Sequence, residues 1–359
     1  MRLVTRVVVV DPIRPDPGII DEAAAALRAG KLVAFPTETV YGLGANALDE
    51  SAVARIFEAK ERPRTDPLIV HIAHIAQLGS FVATIPPGAR LLALSFWAGP
   101  LTLILPKRPA IPDLVTAGLP NVALRVPVHR VARALVELAG VPVAAPSANR
   151  FSGPSPTTAE HVLTDLDGRV DLILDGGPTD IGLESTIVDF TVDPPVVRRH
   201  GAMPIERIRE VLPEVQAVSH HGTAASAQVA PGQLLRHYAA RAPMTLYTGP
   251  VDRVIDRLGK DVRSLVSSGK RVGLLAFEED LSALAPTLAA QAASGKVLTR
   301  PYGARSDMDR SAKALYGALR SLDQEGVDII LATAPSAEGL GTAIRDRLER
   351  ASEGKIIHV

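Results

Sequence analysis

Two periods of apolar and polar residues run through the first two hundred positions. Short apolar runs at Leu32–Pro36, Leu68–Ile72, Leu101–Leu105, Val122–Val126, Val141–Ala145, Val170–Leu174, Thr186–Phe190 and Val196–Arg199 predict strands. Most of these runs are continuous rather than alternating, as strands covered on both faces require. Between them, helical periodicity predicts helices over Ile20–Arg28, Ser51–Lys60 and Val131–Ala139, with Gly30 and Gly140 as stops for the first and last. Adjacent strands without a helix near residues 186–199 predict a mixed sheet rather than a purely wound parallel one. From Pro213 the periodicity fades into a stretch rich in small, polar and turn-forming residues, and loops of that length are usually functional or disordered. Beyond it, strands predicted at Met244–Tyr247, Val272–Phe277, Lys296–Thr299 and Val327–Thr333 alternate with helices, most clearly Ser311–Leu322 and Ala343–Ala351. The expected organisation is an α/β domain over 1–212, a linker over 213–242 and a smaller parallel α/β domain over 243–359.

Composition narrows the chemistry. Lys+Arg and Asp+Glu are both 39, so bulk charge gives no reason to expect a polyanionic partner. Cys is 0, which removes disulfides, thiolate metal sites and cysteine nucleophiles. The start, MRLVTRVVVVDP, is too short in apolar residues for a signal peptide, and Gly99-Pro100 interrupts the most apolar window, Leu91 to Pro106, below spanning length. A cytoplasmic protein is expected.

Candidate chemistry sits at the ends of the predicted strands, where open α/β sheets bind ligands. In FPTETVYGLGAN, Phe35 to Asn46, nearly every side chain is small, hydroxylated or absent. Gly42 to Ala47 fits G-x-G-x-x-[GA], yet the next helix is expected only near Asp49 and the region twenty residues on is basic, so a dinucleotide fingerprint is disfavoured. Those glycines are read instead as a tight turn or as room for a ligand. No Walker A loop, H-E-x-x-H motif or Ser-His-Asp order stands out. Lys60-Glu-Arg-Pro-Arg64 combines a point charge with planar forks, which suits a polyphosphate, but it also suits a helix end that offsets its dipole. Ala145-Pro-Ser-Ala-Asn149 offers hydroxyl, amide and backbone donors without an acid before Glu160; it is either an anion-binding loop or an ordinary turn. Arg125, inside an apolar strand, needs an anion, supplied by a structural acid or by a ligand carboxylate. Ser185 opens a strand, and His71 closes one, where a satisfied core histidine is the commoner case. Positive charge, neutral donors and no nucleophile predict catalysis by positioning and electrostatics, as in phosphate handling.

FPTETVYGLGAN, Lys60-x-Arg62, PLIVHI, WAGPLTLIL, APSAN, the DGG at Asp175–Gly177, ESTIVDF and PGQLLRHYA resemble, in order, the motifs of the long-form YrdC/Sua5 family. The resemblance runs from about residue 5 to the C-terminus and is densest through residue 201. It implies a YrdC-like twisted mixed sheet with a large concave cavity, and a smaller Rossmann-like Sua5 domain. It also implies a reaction: L-threonine, bicarbonate or CO2 and ATP give L-threonylcarbamoyladenylate and pyrophosphate. That product feeds a separate t6A transferase complex acting on adenosine 37 of tRNA, and direct contact with tRNA is left open. By position, Thr37, His71, Arg125 and Ser185 match the threonine side, with Arg125 on the carboxylate. Lys60, Arg62, Ser147, Asn149 and Arg199 match the ATP side, with Asn121 and Ser155 as further candidates; Lys60 and Arg62 carry the catalytic role. His237 and Tyr238 match a linker segment that folds over the site as a lid. The implied cofactor is Mg2+ arriving with ATP, without a tightly bound organic cofactor, and no membrane partner is implied. Two departures stand out: PGQLLRHYAA where the family usually has PGMKYRHYAP, and Arg199-His200-Gly201 where it often has R-P-G. The competing class is an RNA-binding YrdC-like module without turnover. Against it stand the neutral net charge, the aromatic content of 4% and the lack of an interleaved basic-aromatic stretch. A third reading, a carbamoyl-adenylate handler like the YrdC-like module of hydrogenase maturation factors, is opposed by the Sua5-type second domain.

Overall fold

The computed structural model describes residues 3–217, 228–232 and 237–359. Residues 218–227 of the expected linker, and 233–236 of its proposed lid, lie outside the described residues. The chain divides into two compact units: Met1–Phe151 with Ser155–Leu234, and Ser152–Pro154 with Leu235–Val359.

In the first unit the elements run β1 (Arg6–Val9), α1 (Pro17–Arg28), β2 (Val33–Phe35), β3 (Gly42–Asn46), α2 (Glu50–Lys60), β4 (Ile69–His71), α3 (Leu78–Phe81), α4 (Pro87–Phe96), β5 (Leu101–Pro106), β6 (Asn121–Arg125), α5 (Arg130–Ala139), β7 (Val143–Ala144), α6 (Ala159–Leu166), β8 (Leu172–Asp175), β9 (Thr186–Asp189), β10 (Val196–Arg199), α7 (Ile205–Val211) and β11 (Gln216–Ala217). Among the described residues, eleven strands join in one sheet, in the order β1-β8-β2-β3-β7-β4-β6-β5-β9-β10-β11. Pairings of both senses occur, so the sheet is mixed as its unbroken strand neighbours predicted. On one side, α1 and α5 bury Ile20, Leu27, Val131 and Leu135 with Val33, Phe35 and Leu174. On the other, α2 contributes Val53, Ile56 and Phe57 to a core with Leu43, Val70, Leu103 and Leu124. Helix starts follow local chemistry. Asp16 and Asp49 accept backbone N–H groups at the openings of α1 and α2, satisfying donors that a helix leaves unpaired.

Two expectations change. Gly42 to Asn46 is not a turn: it is β3, a strand between β2 and β7. Gly44 is there because a Cβ would stand 2.8 Å from the Phe35 ring and 2.9 Å from Val143. Gln216 and Ala217, within the stretch read as linker, form β11 beside β10.

The second unit holds β12 (Met244–Thr248), α8 (Val251–Ser267), β13 (Val272–Ala276), α9 (Glu278–Ala293), β14 (Val297–Pro301), α10 (Met308–Gln324), β15 (Ile329–Thr333), α11 (Leu340–Ala351) and β16 (Ile356–His358). Its sheet has the order β14-β13-β15-β12-β16, and every pairing is parallel. Asp280, at the start of α9, is buried against Arg305, with Nη2 to Oδ2 at 2.7 Å, and accepts the Thr333 hydroxyl at 2.7 Å.

Candidate active site

The sheet register brings four distant residues into one row. His71 and Arg125 end the parallel strands β4 and β6 as Cα partners. Leu103 pairs with Leu124 in the antiparallel β5–β6 ladder, which puts Thr102 level with Arg125. Thr102 Oγ1 then lies 2.7 Å from Ser185 Oγ, the residue before β9. All four side chains are buried.

Arg125 is the charged centre of this row. Its Nη2 donates to Glu38 Oε1 at 2.6 Å, its Nη1 to Thr39 Oγ1 at 2.9 Å and its Nε to the Gly99 carbonyl at 3.2 Å. The question left open by the sequence is thereby answered in part: a structural acid, Glu38, pairs with the buried guanidinium. Thr37 shapes the loop that carries Glu38. Its hydroxyl donates to the Val40 carbonyl at 2.6 Å and accepts the Val40 N–H at 3.2 Å. His71 packs edge-on to Phe35, with ring centroids 6.2 Å apart. Burial, and then the neighbouring Arg125 cation, push its pKa down to about 3, so the imidazole is neutral at physiological pH.

A second group gathers around the end of α2. Lys60 Nζ donates to the carbonyls of Ser147 at 2.6 Å and Asn149 at 2.5 Å, tying the APSAN loop to the helix. Ser147 Oγ donates to Asn149 Oδ1 at 2.6 Å. Arg62 curls the following loop, with Nε to the Asp66 carbonyl at 3.0 Å and Nη2 to the Pro67 carbonyl at 2.7 Å. Arg199, ending β10, reaches the first group from the far side of β9. It donates to the Ser185 carbonyl from Nε at 3.2 Å and from Nη2 at 2.9 Å, and to the Pro231 carbonyl from Nη1 at 3.4 Å. Ser155 donates to Glu184, the neighbour of Ser185. Asn121 is half-buried at the start of β6, two positions before Ala123, the partner of Ile69.

His237 and Tyr238 belong to the second unit. Their rings lie 4.1 Å apart, and Tyr238 stacks on Tyr316 of α10 at 5.8 Å with the Arg347 guanidinium of α11 at 4.8 Å from its centroid.

Three acids escaped the sequence reading: Glu38, Asp66 and Glu184. Glu38 left a usable signal, since it is the one acid within FPTETVYGLGAN and Arg125 demanded an anion. Asp66 left a local one, four residues after Arg62; Glu184 left none, because its contact with Ser155 is tertiary. Chemically, the site offers buried cations, hydroxyls and carbonyls around an acid–base pair. Such an arrangement is suited to zwitterions and anions, and among the described residues it presents no activated nucleophile.

Comparisons with known proteins identify the family. The Sua5/YciO/YrdC family profile, described as telomere recombination, matches residues 25–201. The Sua5 C-terminal profile, described as the threonylcarbamoyl-AMP synthase C-terminal domain, matches residues 203–353. A threonylcarbamoyl-AMP synthase of Pyrococcus abyssi is 44% identical, over 94% of this chain and 95% of its own length. One of Bacillus subtilis is 43% identical over 97% of both chains. The crystal structure of P. abyssi Sua5 complexed with L-threonine superposes with a TM-score of 0.90, at 43% identity and covering 99% of each chain. The chain belongs to the Sua5/YrdC family of threonylcarbamoyl-AMP synthases.

Proposed function

We infer that this chain condenses L-threonine, bicarbonate or CO2 and ATP into L-threonylcarbamoyladenylate and pyrophosphate, the first step of t6A formation in tRNA. The observation that carries this reading is the 44% identity to a threonylcarbamoyl-AMP synthase along nearly the full length of both chains. The geometry supports it. Zwitterionic threonine carries a carboxylate and an ammonium, and the Arg125–Glu38 pair offers one charge of each sign beside the hydroxyls of Thr37, Thr39 and Ser185. We assign Thr37, His71, Arg125 and Ser185 to threonine. Neutral His71 acts there as a hydrogen-bonding and shape element rather than a second cation. Lys60, Arg62, Ser147, Asn149 and Arg199 are assigned to ATP, with Asn121 and Ser155 as further contacts.

In the reaction the threonine ammonium first gives a proton to solvent; the amine nitrogen then bonds to the carbon of CO2 and a second proton leaves for solvent, giving a carbamate. A carbamate oxygen then attacks the α-phosphorus, and the bond to the bridging oxygen breaks with pyrophosphate as the leaving group. The substrates supply both nucleophiles. The chain's part is to hold them in line and to place Lys60, Arg62 and Arg199 where negative charge builds up. Glu38 sits on Arg125 and Asp66 on Arg62, so these two carboxylates are engaged by guanidiniums. That fits a Mg2+ carried in by the triphosphate and held by phosphate oxygens and water.

The product is a mixed anhydride, so a transferase must consume it, and we propose the t6A transferase complex as that partner. Among the described residues no helix is long and apolar enough to cross a membrane. The decisive assay is pyrophosphate release by the purified protein with and without threonine in bicarbonate buffer. Threonine-dependent release supports the synthase. Tight RNA binding without release would overturn it in favour of a binding module.

A further inference from the structure

Asp66 has no part in the reaction above, yet its surroundings are those of a functional acid. It lies in the loop between α2 and β4, four residues after Arg62, and it is fully buried. Its Oδ2 stands 3.0 Å from Arg62 Nη2. Lys60 from the end of α2 and Arg199 from the end of β10 add their positive charges, and the Gly232 N–H faces the carboxylate. These are the same three cations assigned to the phosphates. They also donate to main-chain carbonyls, those of Ser147 and Asn149, Asp66 and Pro67, and Ser185 and Pro231, which carry only partial charge.

Gathering three buried cations costs folding energy unless an anion stands among them. Asp66 supplies that anion on a short loop, in direct contact with Arg62. A triphosphate brings several negative charges to the same cations, and two anions packed against one cationic cluster repel each other. A buried carboxylate relieves such repulsion by protonating.

We propose that Asp66 is the resident counter-anion of the phosphate site: it keeps Arg62, Lys60 and Arg199 together without nucleotide and takes up a proton when the triphosphate arrives. The proposal rests on the assignment of those cations to ATP. Burial already pushes the Asp66 carboxyl upward, while Arg62, Lys60 and Arg199 pull against that push. Removing the opposing anion therefore favours nucleotide, and restoring it favours the empty site.

Calorimetric titration of the full chain with Mg·ATP, in two buffers of different ionisation enthalpy such as Tris and PIPES, tests this directly. The wild type is expected to show different apparent enthalpies, corresponding to uptake of close to one proton. Asp66→Asn keeps the shape and an acceptor for Gly232 but removes the charge. It is expected to lose the buffer dependence and to bind Mg·ATP about ten- to a hundredfold more tightly, the usual weight of one nearby like charge. Titration with threonine alone, expected to be unchanged, establishes that the variant is folded. Equal wild-type enthalpies in the two buffers overturn the proposal, and that measurement needs no variant. A folded Asp66→Asn variant that binds Mg·ATP no more tightly than the wild type overturns it as well. A wild type that releases pyrophosphate with threonine but takes up no proton sinks only the proposal. One that binds no Mg·ATP at all sinks the synthase reading and the proposal together.

Discussion

Arg125, which we assign to the threonine carboxylate, is also half of a buried ion pair with Glu38. Alanine there leaves Glu38 as an uncompensated buried charge, and breaking such a pair costs about 3–5 kcal/mol. Arg125→Ala should therefore melt far below the wild type. A variant with both partners replaced, Arg125→Met with Glu38→Leu, should recover most of that stability and still bind no threonine by calorimetry. Threonine binding by the double variant would remove Arg125 from the site. His71 makes a second prediction. Its folded pKa lies near 3 while an exposed histidine titrates near 6.5. The unfolded chain thus binds the extra proton first, so His71's contribution to stability is complete above pH 6.5 and declines as pH falls toward about 3. The slope is about 1.4 kcal/mol per pH unit, or about 2 kcal/mol by pH 5. Urea unfolding at neutral pH and near pH 5 should show that extra loss in the wild type and not in His71→Gln. Parallel losses in the two proteins would mean that other groups dominate the acid side.

At the scale of elements, the strands that line the site were legible because their apolar runs are unbroken and their helices have clear stops. The antiparallel strand β3 was not, since Gly-Leu-Gly-Ala-Asn carries the composition of a loop. What decides its conformation is the space between Phe35 and Val143, a fact about neighbours and not about local propensity. The same limit hid Glu38 behind Arg125: the cation was visible, while the carboxylate it meets depended on which loop the sheet brings beside β6. β3 itself invites a test. Gly44→Ala should cost about 1–3 kcal/mol by overpacking, seen as a lower urea midpoint with the slope unchanged. Gly42→Ala, whose Cβ would meet Ala145 and Phe35 at an ordinary 3.4 Å, should cost less. Equal costs at the two positions would mean that flexibility, not space, explains the glycines.

For the molecule as a whole, two compact units, each with its own buried apolar residues, predict separable responses. Asp280→Ala takes the buried acceptor from Thr333 and the ion-pair partner from half-buried Arg305, at a cost of about 1–3 kcal/mol. Hydrogen exchange should then show β13 and β15 losing protection while β4 and β6 keep theirs. Uniform loss across both sheets would mean that the units unfold as one. The order of strands in the larger sheet has a consequence during synthesis. β1 pairs with β8, Arg6 opposite Leu172, so its hydrogen-bonding partner is made only after most of the unit has left the ribosome. At about 5–20 residues per second that delay is roughly 10–30 s. Throughout it the run RVVV is an unpaired apolar strand, the kind of segment that pairs with the wrong chain. Even in the finished fold it is an edge strand, with Val9 still 76% exposed. Soluble yield in rapid expression should therefore depend on holdase chaperones more than the stability of the finished protein would suggest.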